Sequence, residues 1–159
     1  MPSDVKVTSN LKGLDQLQEN LKTKLVAKLG IFASDNSRDD GGKTNAEIGA
    51  RHEFGVLSEG LPRRSFLKDP IEIKRKELLE TANKVIKANI AKEGGAEKIF
   101  ELIGIAGEAI VQEAFESGGF GTWKELTDFT VNKKGGSSQI LIDSSQLRKA
   151  VISKVEKGE

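Results

Sequence analysis

Two long stretches of helical periodicity, separated by a pair of glycines, limit what this chain can fold into more than any other feature. Apolar residues recur at helical spacing from residue 70 to about residue 92, and again from about residue 96 to residue 117. The first stretch, of about 23 residues, would form a rod of roughly 34 Å. Because Gly94 and Gly95 break the pattern between them, the sequence predicts two long antiparallel helices.

The second of these helices contains two internal glycines, Gly104 and Gly107. Each costs about 1 kcal/mol relative to alanine inside a helix. We therefore expect another element to approach this helix closely at the two glycines. The alternative is a helix that is locally weak.

Shorter elements are predicted before the two helices. Val5 and Val7 alternate with polar residues, which favours a short first strand. Asn10 can cap a helix with leucines at residues 11, 14, 17 and 21 on one face. Residues 25–33 could extend this helix, but their alternating apolar side chains favour a strand.

Capping patterns mark the start of two helices. Thr44 and Glu47 have the spacing of a capping box, and the short helix that they begin would end at Phe54, before Gly55. Asp69 followed by Pro70 is typical of an N-cap and a first-turn proline, so the first long helix should start there.

Polar loops and a short closing region complete the predicted chain. We expect residues 140–142 to form a short buried strand, whereas residues 146–155 fit either a helix or a strand. Glycine-rich or charged segments predict mobile loops, and the chain end should be frayed: loops at residues 34–43, 117–122 and 133–138, fraying at residues 156–159.

The chain is long enough for one hydrophobic core. Its 159 residues and 17.2 kDa predict that about 70% of the surface of the unfolded chain becomes buried. We therefore expect residues 1–159 to form a single α+β domain, with two long antiparallel helices packed on a small, mostly antiparallel sheet and with long polar loops.

Composition excludes several kinds of chemistry. The chain has no cysteine and one histidine, so disulfides, thiol nucleophiles and sulfur-based zinc sites are excluded. Nothing in the spacing selects a catalytic triad around His52, which we expect on the short helix, partly exposed and hydrogen-bonded locally. Residues 41–44 imitate the end of a phosphate loop, but Ser37 stands in place of its first glycine. We predict no catalytic residue, cofactor or metal.

Charge gives no general attraction to a polyanion. The formal net charge is +1, and no apolar run approaches the ~18 residues of a membrane span, so no membrane contact is expected. Arg63 and Arg64 lie in an irregular segment after Pro62, where a guanidinium could reach a partner or a phosphate.

Four motifs in order resemble one protein family. They are IGARHEFG at residues 48–55, LPRRSFL at residues 61–67, Trp123, Leu126 and Thr130 with Lys133 or Lys134, and ILIDSSQLRKAV at residues 140–151. This series is similar to the virion-morphogenesis proteins of Mu-like and lambda-like tailed phages, which act in tail completion and head-to-tail joining. Two departures are Ser65, where the family has a second proline, and Ser144-Ser145 in place of Thr-Gly.

The resemblance implies a structural protein of the phage neck, without catalytic residues. Such a protein is made in the cytoplasm of the bacterial host and ends in the virion, at the top of the tail. Its copies would form a ring, expected to be a hexamer, between the head connector or adaptor and the tail-tube or tail-terminator proteins. Contact with the DNA that passes through the neck is also compatible with the resemblance.

Five residues are the candidates for such an interface. Phe54, Phe66 and Trp123 could be apolar anchors, while Arg63 and Arg64 could reach an acidic neighbour. Each aromatic residue could instead belong to the core.

Two other functions stay open at this point. One is a small DNA-binding protein that uses Arg63, Arg64, Lys133 and Lys134 on one face. The other is an enzyme that uses His52 with Glu53.

Overall fold

The computed structural model describes residues 12–38, 42–126, 132, 140–141 and 145–158. This part of the chain has an α+β fold with a small antiparallel sheet, as predicted. Its elements, in chain order, are α1 Lys12–Lys22, β1 Leu25–Ile31, a 3-10 turn Ala33–Asp35, α2 Asn45–Phe54, a 3-10 turn Leu57–Glu59, α3 Lys68–Ile73, α4 Arg75–Asn89, α5 Gly95–Ser117, α6 Gln146–Lys149 and β2 Val151–Lys157.

Helices α4 and α5 form the predicted antiparallel pair. Lys74, at the start of α4, contacts Glu113 near the end of α5, and five residues connect the two helices. The prediction of one continuous first rod is wrong, because the chain departs from helical geometry at Lys74, with φ −94° and ψ 13°. Asp69 also lies inside α3, which begins at Lys68, so it is not the N-cap. Neither glycine nor proline marks this break.

The sheet consists of β1 and β2, which pair antiparallel from Leu25 opposite Lys157 to Ile31 opposite Val151. Helix α5 packs against both strands. A Cβ atom on Gly104 would lie 2.6 Å from Ser153 Oγ, and one on Gly107 would lie 3.2 Å from Leu29 Cδ2. The expectation of a close approach at these glycines is therefore confirmed.

The closing region combines both structures that the sequence allowed. Four residues form α6, and the chain then turns at Ala150 into β2. Residues 156 and 157, which we expected to be frayed, pair with Val26 and Leu25. Ile140 and Leu141 form a bend, with Leu141 at φ 59°, so the strand prediction is wrong for these two residues.

Several predictions lie outside the described residues. They concern the strand at Val5 and Val7, the cap at Asn10, and parts of two loops, at residues 39–41 and 133–138. The motif residues Thr130, Lys133 and Lys134 also lie there.

The core lies at the C-terminal half of α5. Phe66, Phe115 and Trp123 form its aromatic centre, with ring centroids 5.4 Å apart for Phe66 and Phe115 and 5.8 Å apart for Phe115 and Trp123. Leu147 of α6 and Val151 of β2 belong to the same buried cluster. The core therefore joins segments from the middle and from the end of the chain.

Candidate interaction site

A buried carboxylate organises the region of the predicted interface residues. Glu53, at the end of α2, accepts hydrogen bonds from Ser65 Oγ at 2.6 Å and from the backbone N–H groups of Phe66, Leu67 and Lys68 at 2.9, 3.0 and 3.1 Å. These N–H groups precede or begin α3, where a helix has no internal acceptors. A negative charge is favourable at that position, so Glu53 fixes where α3 starts.

Arg64 is the cation of this buried region. Its side chain donates from Nε to the Lys124 carbonyl at 3.0 Å and from Nη2 to the Glu125 carbonyl at 3.4 Å, and the residue is only 6% exposed. Its backbone N–H donates to the His52 carbonyl at 2.7 Å. Burial lowers the pKa of Arg64. The prediction that Arg64 reaches an acidic neighbour is therefore wrong, since its guanidinium holds the segment after Trp123.

Phe66 and Trp123 belong to the core rather than to a surface. They are 1% and 7% exposed, and Trp123 Nε1 donates to the Ser65 carbonyl at 2.9 Å. Gly119 makes room for the indole, because a Cβ atom there would lie 2.2 Å from Nε1. Their use as apolar anchors for a partner is therefore excluded, as they have almost no free surface.

His52, on α2, is half-buried, and the charges of Arg51 and Arg64 act on its side chain. Its Nδ1 atom is buried and has no hydrogen-bond partner among the described residues, so the expected local hydrogen bond is not present at that atom. Burial, followed by the charges of Arg64 and Arg51, lowers its pKa from 6.5 to about 4. The imidazole is therefore neutral at pH 7.

Two large apolar side chains project from this region, and we call them the apolar tip: Phe54, 75% exposed, and Leu57, 99% exposed. Val56 and Leu61 hold the tip by reciprocal backbone hydrogen bonds of 2.9 and 3.1 Å. Gly60, at φ 65°, supplies the left-handed turn between them.

The turn after α2 also depends on a glycine. Gly55 has φ 74°, and a Cβ atom there would lie 2.9 Å from the backbone nitrogen of Arg63. The EFG motif thus combines a buried capping residue, an exposed aromatic residue and a glycine that allows the next segment to approach. Sequence reasoning missed Leu57. Its position between Gly55 and Gly60 could have indicated an apolar side chain in an exposed turn.

Residues close to the apolar tip in the sequence form two ion pairs. Arg51 pairs with Glu59. Arg63 donates from two nitrogens to the two oxygens of Asp69 at 2.7 and 2.6 Å. The hydrogen bonds from Arg63 hold the pKa of Asp69 below its ordinary value. Phe54 and Arg63 are therefore the two predicted interface residues that the structure leaves at the surface.

The four cations of the alternative DNA-binding face have different surroundings. Arg64 is committed to backbone carbonyls, and Arg63 is paired with Asp69. Lys133 and Lys134 lie outside the described residues.

Comparisons with protein-family models, with curated proteins and with solved structures find no match to this chain. Within the described ranges, no group of three or more His, Cys, Asp or Glu side chains is placed to hold a metal ion. Among the helices of the described part, none is both long and apolar enough to cross a membrane.

Proposed function

We propose that this chain is a structural protein that acts by docking onto other proteins. More particularly, we propose a tail-completion or head-to-tail joining protein of a tailed bacteriophage or prophage. Six copies would form a ring in the neck, between the head connector or adaptor and the tail-tube or tail-terminator proteins. The protein would be made in the host cytoplasm and become part of the virion.

The convergence of the resembling motifs carries this proposal. The motifs lie at residues 48–55, 61–67, 123–130 and 140–151, as two neighbouring pairs with a long stretch of chain between the pairs. Glu53 of the first motif binds Ser65 of the second, Trp123 of the third donates to the carbonyl of Ser65, and Leu147 of the fourth packs into the same core. Short segments that resemble a family by chance need not meet in space. The contacts between these motifs place them in one structural unit, and this supports the resemblance.

The surface beside this unit suits a docking function. Phe54 and Leu57 are large, apolar and exposed, and turns and ion pairs fix their position. Interfaces commonly have such an apolar centre within a polar rim. Arg63 with Asp69 and Arg51 with Glu59 would provide that rim here.

The proposal can be tested by deleting the gene from the phage or prophage genome that encodes this chain. Electron microscopy of the lysate should then show complete heads and separate tails, and expression of the wild-type protein from a plasmid should restore joined particles. Joined, infectious particles at the normal yield without the gene would contradict the proposal.

A further inference from the structure

Helix α1 is attached to the rest of the fold by a polar residue. Asn20, 7% exposed, donates from Nδ2 to the carbonyls of Ile90 and Lys92 at 2.7 and 2.8 Å, and its Oδ1 atom accepts from the backbone N–H of Ala96 at 3.2 Å. These bonds reach the turn between α4 and α5. They fix which side of α1 faces the protein.

The leucines of α1 lie mostly outside this contact. Leu14 is 60% exposed and Leu21 is 70% exposed, whereas Leu17 is half-buried. Gln18, which is also exposed, lies four residues after Leu14 and three before Leu21, so these three side chains share one side of the helix. We call this side the leucine face: Leu14, Gln18 and Leu21.

The border of the leucine face carries one charge of each sign. Asp15 and Lys22 are seven residues apart, which places both on the same side of α1, next to the leucine face. Both are exposed, and among the described residues neither takes part in an ion pair. No carboxylate or cation of that part of the chain therefore neutralises them.

This pattern is complementary to itself when the helix direction is reversed. In an antiparallel pair related by a two-fold axis near Gln18, Leu14 of one copy faces Leu21 of the other, and Asp15 faces Lys22. The symmetry repeats each leucine contact and each ion pair. A parallel pair would place Asp15 against Asp15 and Lys22 against Lys22, and like charges disfavour that arrangement.

We propose that two copies of this chain associate through the leucine faces of their α1 helices, packed antiparallel. The helix has 11 residues, which is roughly 17 Å. The contact is therefore small, and the association is weak and depends on concentration. A two-fold contact closes at two copies. It goes beyond the proposed ring, whose contacts would be heterologous, and its test does not depend on the neck function.

Disulfide trapping detects such a weak contact, and the natural chain has no cysteine. Gln18→Cys places a thiol near the two-fold axis, where the two Cβ atoms come close enough for a disulfide. Glu19→Cys is the matched control, because Glu19 is the next residue on α1 and is exposed, but points away from the leucine face. Each protein is oxidised mildly at several concentrations, and non-reducing electrophoresis measures the linked dimer.

We expect several-fold more dimer from Gln18→Cys than from Glu19→Cys. Equal yields from the two proteins, or no dimer from Gln18→Cys, would overturn the proposal and would leave the leucine face to another segment of the chain or to a different protein.

Charge reversal in the Gln18→Cys protein tests the antiparallel pairing. Asp15→Lys alone places cations opposite each other, and Lys22→Asp alone places anions opposite each other, so each should lower the yield of dimer several-fold. The double variant restores opposite charges, and the yield should return. A double variant that gives no more dimer than the single variants would contradict the pairing.

Uncharged variants cover the case in which a reversed charge disturbs the helix. The reversals oppose the helix macrodipole, so circular dichroism compares the helix content of each variant. Leu14→Gln and Leu21→Gln leave every charge unchanged and should also lower the yield several-fold, because they remove the apolar centre of the contact. An unchanged yield in both would overturn the proposal, even if a charge variant fails to fold.

Discussion

The buried network and the apolar tip use residues that are direct neighbours in the sequence. Glu53 is buried and accepts four hydrogen bonds, whereas Phe54 beside it is mostly exposed. Arg64 is buried and donates to a backbone carbonyl, whereas Arg63 pairs with Asp69 at the surface. Successive residues point in different directions from a helix or an extended segment. One short stretch can therefore hold the fold together with one residue and offer the next to a partner.

Replacing each residue of the Glu53 and Phe54 pair should give the largest difference. Glu53→Ala removes the acceptor of three backbone N–H groups and one hydroxyl, so we expect the free energy of unfolding to fall by about 3–5 kcal/mol. Phe54→Ser should change it by less than about 0.5 kcal/mol, because the side chain is largely solvated already. Urea denaturation of both variants measures the difference, and similar losses would contradict the division of roles.

The arginine pair should show the same division on a smaller scale. Arg64→Ala leaves the carbonyls of Lys124 and Glu125 without their donor and should cost about 2–3 kcal/mol. Arg63→Ala removes an exposed ion pair and should cost at most about 1 kcal/mol. Thermal unfolding at neutral pH compares them. A larger loss from Arg63→Ala would show that the surface pair, and not the buried guanidinium, holds this segment.

The histidine between the two regions should make stability depend on pH. His52 has its pKa lowered to about 4 in the folded protein, from 6.5. As the pH falls below 6.5, the unfolded chain binds a proton at His52 that the folded protein does not. The contribution of His52 to the free energy of unfolding is therefore fully present above pH 6.5 and is lost as the pH falls towards 4. Allowing for partial exposure of the ring, the loss should be about 2 kcal/mol.

His52→Gln is the control for this prediction, because His52 is the single histidine of the chain. Urea denaturation at several pH values from 7 to 5 should show a decline for the wild type and little change for the variant. An equal decline in both proteins would assign the effect to other groups.

Local patterns were enough to predict much of the helical structure. The capping box of Thr44 and Glu47 and the glycine pair at residues 94–95 predicted the start of α2 and the turn between the long helices, and both are present. Such signals work because the interacting groups are only a few residues apart. The expected close approach at Gly104 is also confirmed. A glycine inside a helix lowers the stability of the helix, so its presence there indicated that another element needs the space.

The parts that sequence reasoning missed depend on distant contacts. Nothing near Lys74 marks the end of α3, and nothing distinguishes Arg64 from Arg63 locally. Arg64 is buried because the carbonyls of Lys124 and Glu125 lie beside it, and these are about sixty residues further along the chain. The position of Trp123 against Ser65 in the folded chain decides which of the two arginines is buried, and the local sequence does not contain this information.

The sheet has a consequence for how the chain folds during synthesis. Its two strands pair residues 25–31 with residues 151–157, so residues 32–150 separate the partners. During synthesis β1 leaves the ribosome long before β2, and it must wait until residues 151–157 have emerged before it can pair with them. Contacts between such distant segments form slowly. A nascent chain that is stalled or truncated before residue 151 would therefore lack the sheet, even with the preceding helices already made.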